Sequence, residues 1–287
     1  MLVDLGILWE WEHDERFVKL LDSECIKASK SSYIIAPYNL SESIGKIISG
    51  ALLFKTVLDR ATDTNPSFRP IIPLLERTKT RIINDPAKAV RANNKATMHL
   101  EFITAGLNVP YTIMISPTDK IEGSVLSPIG TPFVIKPAEG GGGYGVVLGA
   151  GTIYEVVKAR ERHSDGLILI QEEIIPAEIK NKKCWFRVFF VCGKIIPCFW
   201  DVSTHYYERL TQEEEIEFSE LFRIAEKINQ ITGLEFFSTE VARTRDGRFV
   251  VVDYVNDQCD LRFQSDAPDG VPDEVIHEIV GSIIESL

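Results

Sequence analysis

Thr131-Pro-Phe-Val-Ile-Lys136-Pro-Ala-Glu139-Gly140-Gly141-Gly142-Gly143-Tyr144-Gly145-Val-Val-Leu148 sets five glycines within six positions between two apolar runs. The pattern predicts a strand that delivers a lysine, a glycine loop, and a second strand that leaves. Glycines let backbone N–H groups approach an anion closely, and a loop of alternating backbone sign shapes a nest for an oxyanion. Phosphate is the expected guest; a flexible hairpin loop is the plain alternative. Lys136 weighs toward the first reading, because an ammonium on a buried strand needs a partner. This is not a Walker loop, since no Gly-Lys-Ser or Gly-Lys-Thr closes it and no helix clearly follows.

The rest of the composition sets bounds on this reading. A chain of 287 residues suits two or three closely packed subdomains. Its net charge of −11, with no basic stripe, excludes nucleic acid as the expected partner but leaves room for a nucleotide. Met1 to Trp9 is apolar but short, and Glu10, Glu12, Asp14 and Glu15 stand where a secretory signal would be cleaved. No run reaches membrane-spanning length. The odd number of cysteines, with no Cys-x-x-Cys pair, predicts a reduced, cytoplasmic protein. A homodimer is the default assembly for a soluble enzyme.

Upstream of the glycine loop, residues 1–85 alternate apolar runs with helical patterns: Leu2 to Leu8, Arg16 to Lys27, Tyr33 to Ala36, Ser43 to Ser49 and a late strand at Ile82 to Asn84. That rhythm predicts a small parallel α/β domain. Asp85-Pro86 is a helix start, with a capping side chain and proline at the first helical position. Asn94 starts a second helix, expected to bury Ala96, Leu100 and Ile103 and to stop at Gly106. Lys95 then lies in the first helical turn beside the positive end of the macrodipole, a conflict that a bound anion would remove. A lysine pointing to water is the alternative.

Downstream, Leu167 to Glu178 predicts a buried strand ending in acids and a proline. Trp185 to Val191 and Lys194 to Trp200 predict a hairpin about Cys192-Gly193, with Arg187 inside an aromatic strand, where a guanidinium needs an anionic partner. One long helix, about Glu213 to Ile231, is expected to bury Ile216, Phe218 and Leu221, and a last helix follows Pro272.

Thr239 to Asp253 carries the sharpest inference. If Asp246-Gly247 centres a two-residue type I′ turn, Arg245 faces Arg248 and Glu240 faces Asp253. Carboxylates directly opposite have Cβ atoms roughly 4.5 to 5.5 Å apart, and at an effective dielectric near 20 two charges about 5 Å apart repel by roughly 3 kcal/mol. Either one acid is protonated or a cation lies between them. With Asn256 as a third oxygen ligand, the set suits magnesium.

In this order the pieces resemble the ATP-grasp superfamily, from about Asn84 to the C-terminus. The resemblance implies an α/β (α+β) ATP-grasp fold with an N-terminal Rossmann-like pre-ATP-grasp domain (1–85), a first subdomain with the glycine loop (86–170) and a second with the metal-binding hairpin (171–287). It implies that Lys95 and Lys136 touch phosphates. Gly140, Gly141, Gly142, Gly143, Tyr144 and Gly145 would close over them. Gln171, Glu172, Glu173 and Ile174 would form the adenine hinge, and Glu178 would bind the ribose. Arg187 would stabilise the transferred phosphoryl group, with Lys136 as its catalytic partner, and Glu240, Asp253 and Asn256 would hold metal. Asp253 and Asn256 are three apart where the family commonly spaces them by two. Trp185 replaces an acid common before the strand arginine, and no second arginine follows near Trp200, Arg209 being the nearest substitute.

The implied activity is ligation of a small-molecule carboxylate to an amine through an acyl-phosphate, with ATP and magnesium (Mg2+, or manganese, Mn2+) as cofactors and Arg262 as candidate for the substrate carboxylate. A small-molecule kinase and a nucleotide-binding module without catalysis are the other readings. Neither nucleic acid nor membrane is expected as a partner.

Overall fold

A computed structural model describes residues 1–163 and 166–287 of the chain. β1 (Leu2–Trp9), α1 (Glu15–Lys27), β2 (Ser32–Ile35), α2 (Leu40–Ile48), β3 (Leu53–Arg60), α3 (Ile71–Arg77) and β4 (Arg81–Ile83) follow one another. Their strands form one parallel sheet in the order β2-β1-β3-β4. Helices cover both faces, so β1 is apolar nearly throughout: Leu5 and Ile7 pack with Phe17 and Leu21, while Val3 and Leu8 join Ile47 and Leu75. The expected parallel α/β unit is present, but β3 and α3 were not foreseen. Lys55, Asp59 and Arg60 interrupt the apolar run of β3, and they are legible only in place. Asp59 caps the next turn through the Ala61 and Thr62 amides (both 3.0 Å), and Arg60 forms a buried pair with Asp14.

α4 (Pro86–Asn93) begins at the Asp85 cap, whose carboxylate accepts from Ala87 and Lys88 amides, and α5 (Lys95–Thr104) begins at Asn94, which accepts from Thr97. The buried face of α5 is not the expected one. Ala96, Met98, His99 and Phe102 point inward, while Leu100 and Ile103 are 57% and 53% exposed. His99 Nδ1 lies 2.6 Å from the Tyr254 hydroxyl and Phe102 packs edge-on against the same ring, which sets the rotation of the helix. β5 (Thr112–Ile115), β6 (Phe133–Pro137), β7 (Val147–Ala150), α6 (Ile153–Arg162) and β8 (Ile168–Glu172) complete an antiparallel sheet ordered β5-β8-β6-β7.

The short pair β9 (Glu178–Ile179) and β10 (Lys182–Lys183) leads to β11 (Trp185–Val191), β12 (Lys194–Trp200) and β13 (Tyr207–Arg209). Then come α7 (Gln212–Glu217), α8 (Glu220–Thr232), β14 (Phe236–Arg243), β15 (Phe249–Asn256) and α9 (Asp273–Glu285). The five strands β13-β12-β11-β14-β15 make an antiparallel sheet. Phe186, Val188 and Phe190 pack on α8 at one face. From the other, Phe189 and Val191 meet α9 and, through it, α1 of the first sheet. The single long helix expected over 213–231 is instead two, broken at Phe218-Ser219. Phe218 turns in against Phe186 and Phe199 (ring centroids 4.8 and 5.8 Å), and Ile216 is left 73% exposed. Among the described residues no helix is long and apolar enough to cross a membrane.

Candidate active site

The β14–β15 hairpin does not turn as expected. Thr244 and Arg248 close a three-residue loop, with Thr244 N–H donating to Arg248 O (2.8 Å) and Gly247 N–H to Thr244 O (2.9 Å), and Gly247 takes φ +86°. Beside the turn, Arg243 therefore faces Phe249 and Val241 faces Val251, one step out of the expected register. A bulge before the next pair restores it, and Glu240 does face Asp253. A second irregularity sets Ser238 opposite Asn256. Strict alternation would put Asp253 and Asn256 on opposite faces; the extra residue returns both to one cleft. The unusual spacing of these two residues is thus absorbed by the backbone.

Arg187, Glu240 and Asp253 form one row across three strands. Arg187 Nη2 donates to Glu240 Oε1 (2.7 Å), Trp185 Nε1 donates to Glu240 Oε2 (3.2 Å), and the guanidinium lies 4.7 Å from the centre of the Trp200 ring. The two carboxylates are therefore not left to repel each other alone, as the sequence implied, because Arg187 already pairs with one. Burial pushes the Glu240 carboxyl up, with Arg187 and Lys136 opposing and Asp253 adding to the rise. Arg187 Nε and Asn256 Nδ2 are buried without partners. Trp185 thus serves as a donor to the Glu240 carboxylate.

Two lysines enter the same cleft. Lys136, buried on β6, donates among the described residues only to Val252 O (3.0 Å), and Lys95 donates to Gly140 O (2.5 Å). Burial pushes the Lys95 ammonium down, Asp253 pulls it back and Lys136 lowers it further. Cations held by single carbonyls leave donor capacity for an anion. Gly140, Gly142, Gly143 and Gly145 have positive φ, and a Cβ at Gly145 would stand 2.2 Å from His163 Nε2. Tyr144 is 80% exposed.

The cleft, of about 1080 Å3, is lined by these groups together with Gln171, Glu172, Glu173 and Ile174. Gln171 spends its side chain on the Tyr254 hydroxyl (2.7 Å) and Thr112 (3.1 Å), and Glu172 accepts from the Tyr111 amide (2.8 Å). Hinge contacts would thus fall to backbone groups where the chain leaves β8. Glu178 lies outside this cleft. It is exposed on β9 opposite Lys183, beside a smaller cavity of about 330 Å3 that shares Glu173, Ile174 and Lys183 with the cleft. Arg262 reaches the cleft, but its fork is taken by Asp260 (2.7 Å) and Asp269 (2.9 Å), so it is no free anchor for a carboxylate. Arg209 pairs with Glu215 and Glu278 and does not substitute for a second arginine in the cleft.

Sequence reasoning missed Asp63, Lys183, Trp200, Asp201 and Asp269, all lining the cleft. Asp63 follows β3, and a recognised strand there would have flagged it, since ligands gather at the carboxyl ends of parallel strands. Asp201 directly follows the hairpin strand that was read, without a signal to mark it. The donor set of Glu240, Asp253 and Asn256 suits a hard cation, and the orphaned Asn256 amide, turned by a half rotation, presents an oxygen. No third His, Cys, Asp or Glu joins them among the described residues. Two lysines and a glycine nest suit phosphate oxygens. The residues present fit a metal-bound nucleotide.

The RimK-domain ATP-grasp protein of Sphaerobacter thermophilus is similar over 99% of both chains, with 21% identity and a TM-score of 0.66. D-alanine–D-alanine ligase of Bacillus anthracis, solved with ATP, matches 99% of this chain and 97% of its own, with 14% identity and a TM-score of 0.66. The chain has the ATP-grasp fold. The ATP-grasp ligase PsnB, solved with a minimal precursor, Mg and ADP, matches at 16% identity and TM-score 0.64 over 97% of this chain and 98% of its own. No protein-family model and no curated protein sequence matches the chain. The ATP-grasp fold foreseen from the order of the motifs is therefore observed.

Proposed function

We propose that the protein is an ATP-dependent carboxylate–amine ligase, with the parallel sheet over 1–85 as a Rossmann-like pre-ATP-grasp domain, 86–170 as the phosphate-closing subdomain and 171–287 as the metal-binding one. The observation that carries the reading is the convergence on one cleft of Lys95, Lys136 and the glycine loop with the row Arg187–Glu240–Asp253 and Asn256. The hinge Gln171–Ile174 receives adenine through its backbone, and Glu178 reaches the ribose from the adjoining cavity. Glu240, Asp253 and Asn256 hold magnesium, or manganese, which neutralises phosphate charge when bound.

The chain's own residues then supply position and charge. Lys95 and Lys136 hold the phosphates, and the loop 140–145 excludes water. The substrate carboxylate oxygen attacks the γ-phosphorus and the bond from phosphorus to the bridging oxygen of ADP breaks, with Arg187 facing the developing charge. A neutral amine next attacks the acyl carbon, the bond to phosphate breaks, and the amine gives up a proton. Neighbours of this fold act as ligases by name, which supports the reading.

Hydroxylamine trapping tests it. With ATP, magnesium and a panel of carboxylates, formation of a hydroxamate in step with ADP is the expected result. A stable phosphorylated product with no amine requirement identifies a kinase instead, and nucleotide binding without ADP release for any substrate identifies a non-catalytic module.

A further inference from the structure

Three loops close one part of the cleft, those after β3, β12 and β15, and they bring Asp63, Asp201, Asp260 and Asp269 to its wall. Arg262 is the one lysine or arginine that the same loops add to the described lining, and its fork is spent on Asp260 and Asp269. Asp201 stays ionised, held at about 2 by donation from the Ser203 hydroxyl and the Thr204 amide, and these bonds use only Oδ1. This wall repels a dianionic substrate and attracts a cation.

A second, independent observation points to an oxygen on the ligand. Trp200 is only 8% exposed and lines the cleft, yet its indole N–H finds no acceptor among the described residues. Arg187, whose guanidinium lies over the same ring, also has a buried Nε without a partner. Unpartnered buried donors are rare in proteins, and each of these calls for an oxygen acceptor.

Resting on the ligase reading above, we infer that the carboxylate substrate is a basic amino acid, free or within a peptide: its acyl oxygens meet Arg187 and Trp200, and its cationic groups are held by the aspartate wall. His205, stacked on Trp200 at 5.3 Å, closes the aromatic side of this subsite.

Calorimetric titration with L-lysine and L-glutamate, each with ADP and magnesium present, tests the inference. L-Lysine is expected to bind at least about tenfold more tightly, with a preference that weakens as salt rises. The pair of substitutions Asp201→Asn and Asp269→Asn keeps the side-chain shape and removes two charges, and it should reduce L-lysine affinity by about tenfold or more. Equal or tighter binding of L-glutamate, unchanged L-lysine affinity in the double variant, or no L-lysine binding by a protein that binds ADP would each overturn it. ADP binding is measured in the same samples. Its absence in the wild-type protein would instead remove the ligase reading on which this rests.

Discussion

Arg187 and Glu240 are a buried ion pair, and such pairs answer differently to losing one partner and to losing both. Arg187→Met leaves Glu240 without its guanidinium and is expected to destabilise by about 3 to 5 kcal/mol, whereas adding Glu240→Leu should recover most of that loss. Denaturant midpoints of the two variants check this. A double variant as unstable as the single one would show that the pair also holds the sheet together by other means. Asp257 gives a prediction in pH. Burial raises its carboxyl from the ordinary 3.8 to about 7, only partly offset by the hydrogen bond from Asn84. A raised acid binds its proton more tightly in the folded than in the unfolded chain, so its contribution falls as pH rises from about 4 to about 7 and is flat above. At about 1.4 kcal/mol for each pH unit, Asp257→Asn should become more stable relative to wild type by up to about 4 kcal/mol across that window. Equal slopes for the two proteins in urea unfolding at pH 4.5 and 7.5 would contradict it.

At the scale of elements, the glycine loop separates backbone need from mere openness. Gly145 has φ +76° and no room for a Cβ beside His163, whereas Gly141 lies outside the left-handed region with nothing within 4 Å of a Cβ. Gly145→Ala should therefore cost about 1 to 2 kcal/mol and Gly141→Ala no more than about 0.5 kcal/mol, as read by thermal or denaturant unfolding. Equal costs would mean that the loop is not held in this conformation. Signals with a local cause were legible from sequence: the Asp85 and Asn94 caps, the Cys192-Gly193 turn and the strand delivering Lys136. Those set by tertiary contact were not. β3 was hidden by the charges at Asp59 and Arg60, which the cap that Asp59 makes on the next turn and the Asp14 partner of Arg60 explain, and the face of α5 was set by His99 and Phe102 meeting Tyr254. Glu240 was placed opposite Asp253 on a wrong turn, and a bulge that no propensity announces made the pairing right.

At the scale of the whole molecule, the lysine and glycine-loop side of the cleft drew notice in the sequence because its groups sit in contiguous motifs. The aspartate-lined end did not, because Asp63, Asp201 and Asp269 come from three loops far apart in sequence. The first sheet holds one of those loops in place: Arg60 donates to Cys259 O (2.8 Å), Asp63 accepts from Gln258 (3.0 Å), and Asn84 from the end of the same sheet donates to Asp257 (3.0 Å). The first sheet thus shapes the aspartate-lined end of the cleft. All of this depends on a metal-bound nucleotide lying between the two lysines and the Glu240–Asp253 pair. Calorimetric titration of ADP into wild type and Asp253→Asn, with and without magnesium, measures that directly. Wild type should bind ADP with magnesium and lose at least about tenfold in affinity when the metal is chelated, Asp253→Asn should show no metal-dependent gain, and Asp246→Asn, at the exposed tip of the same hairpin, should bind as wild type does. A magnesium-dependent affinity that is the same in Asp253→Asn as in wild type would contradict the account.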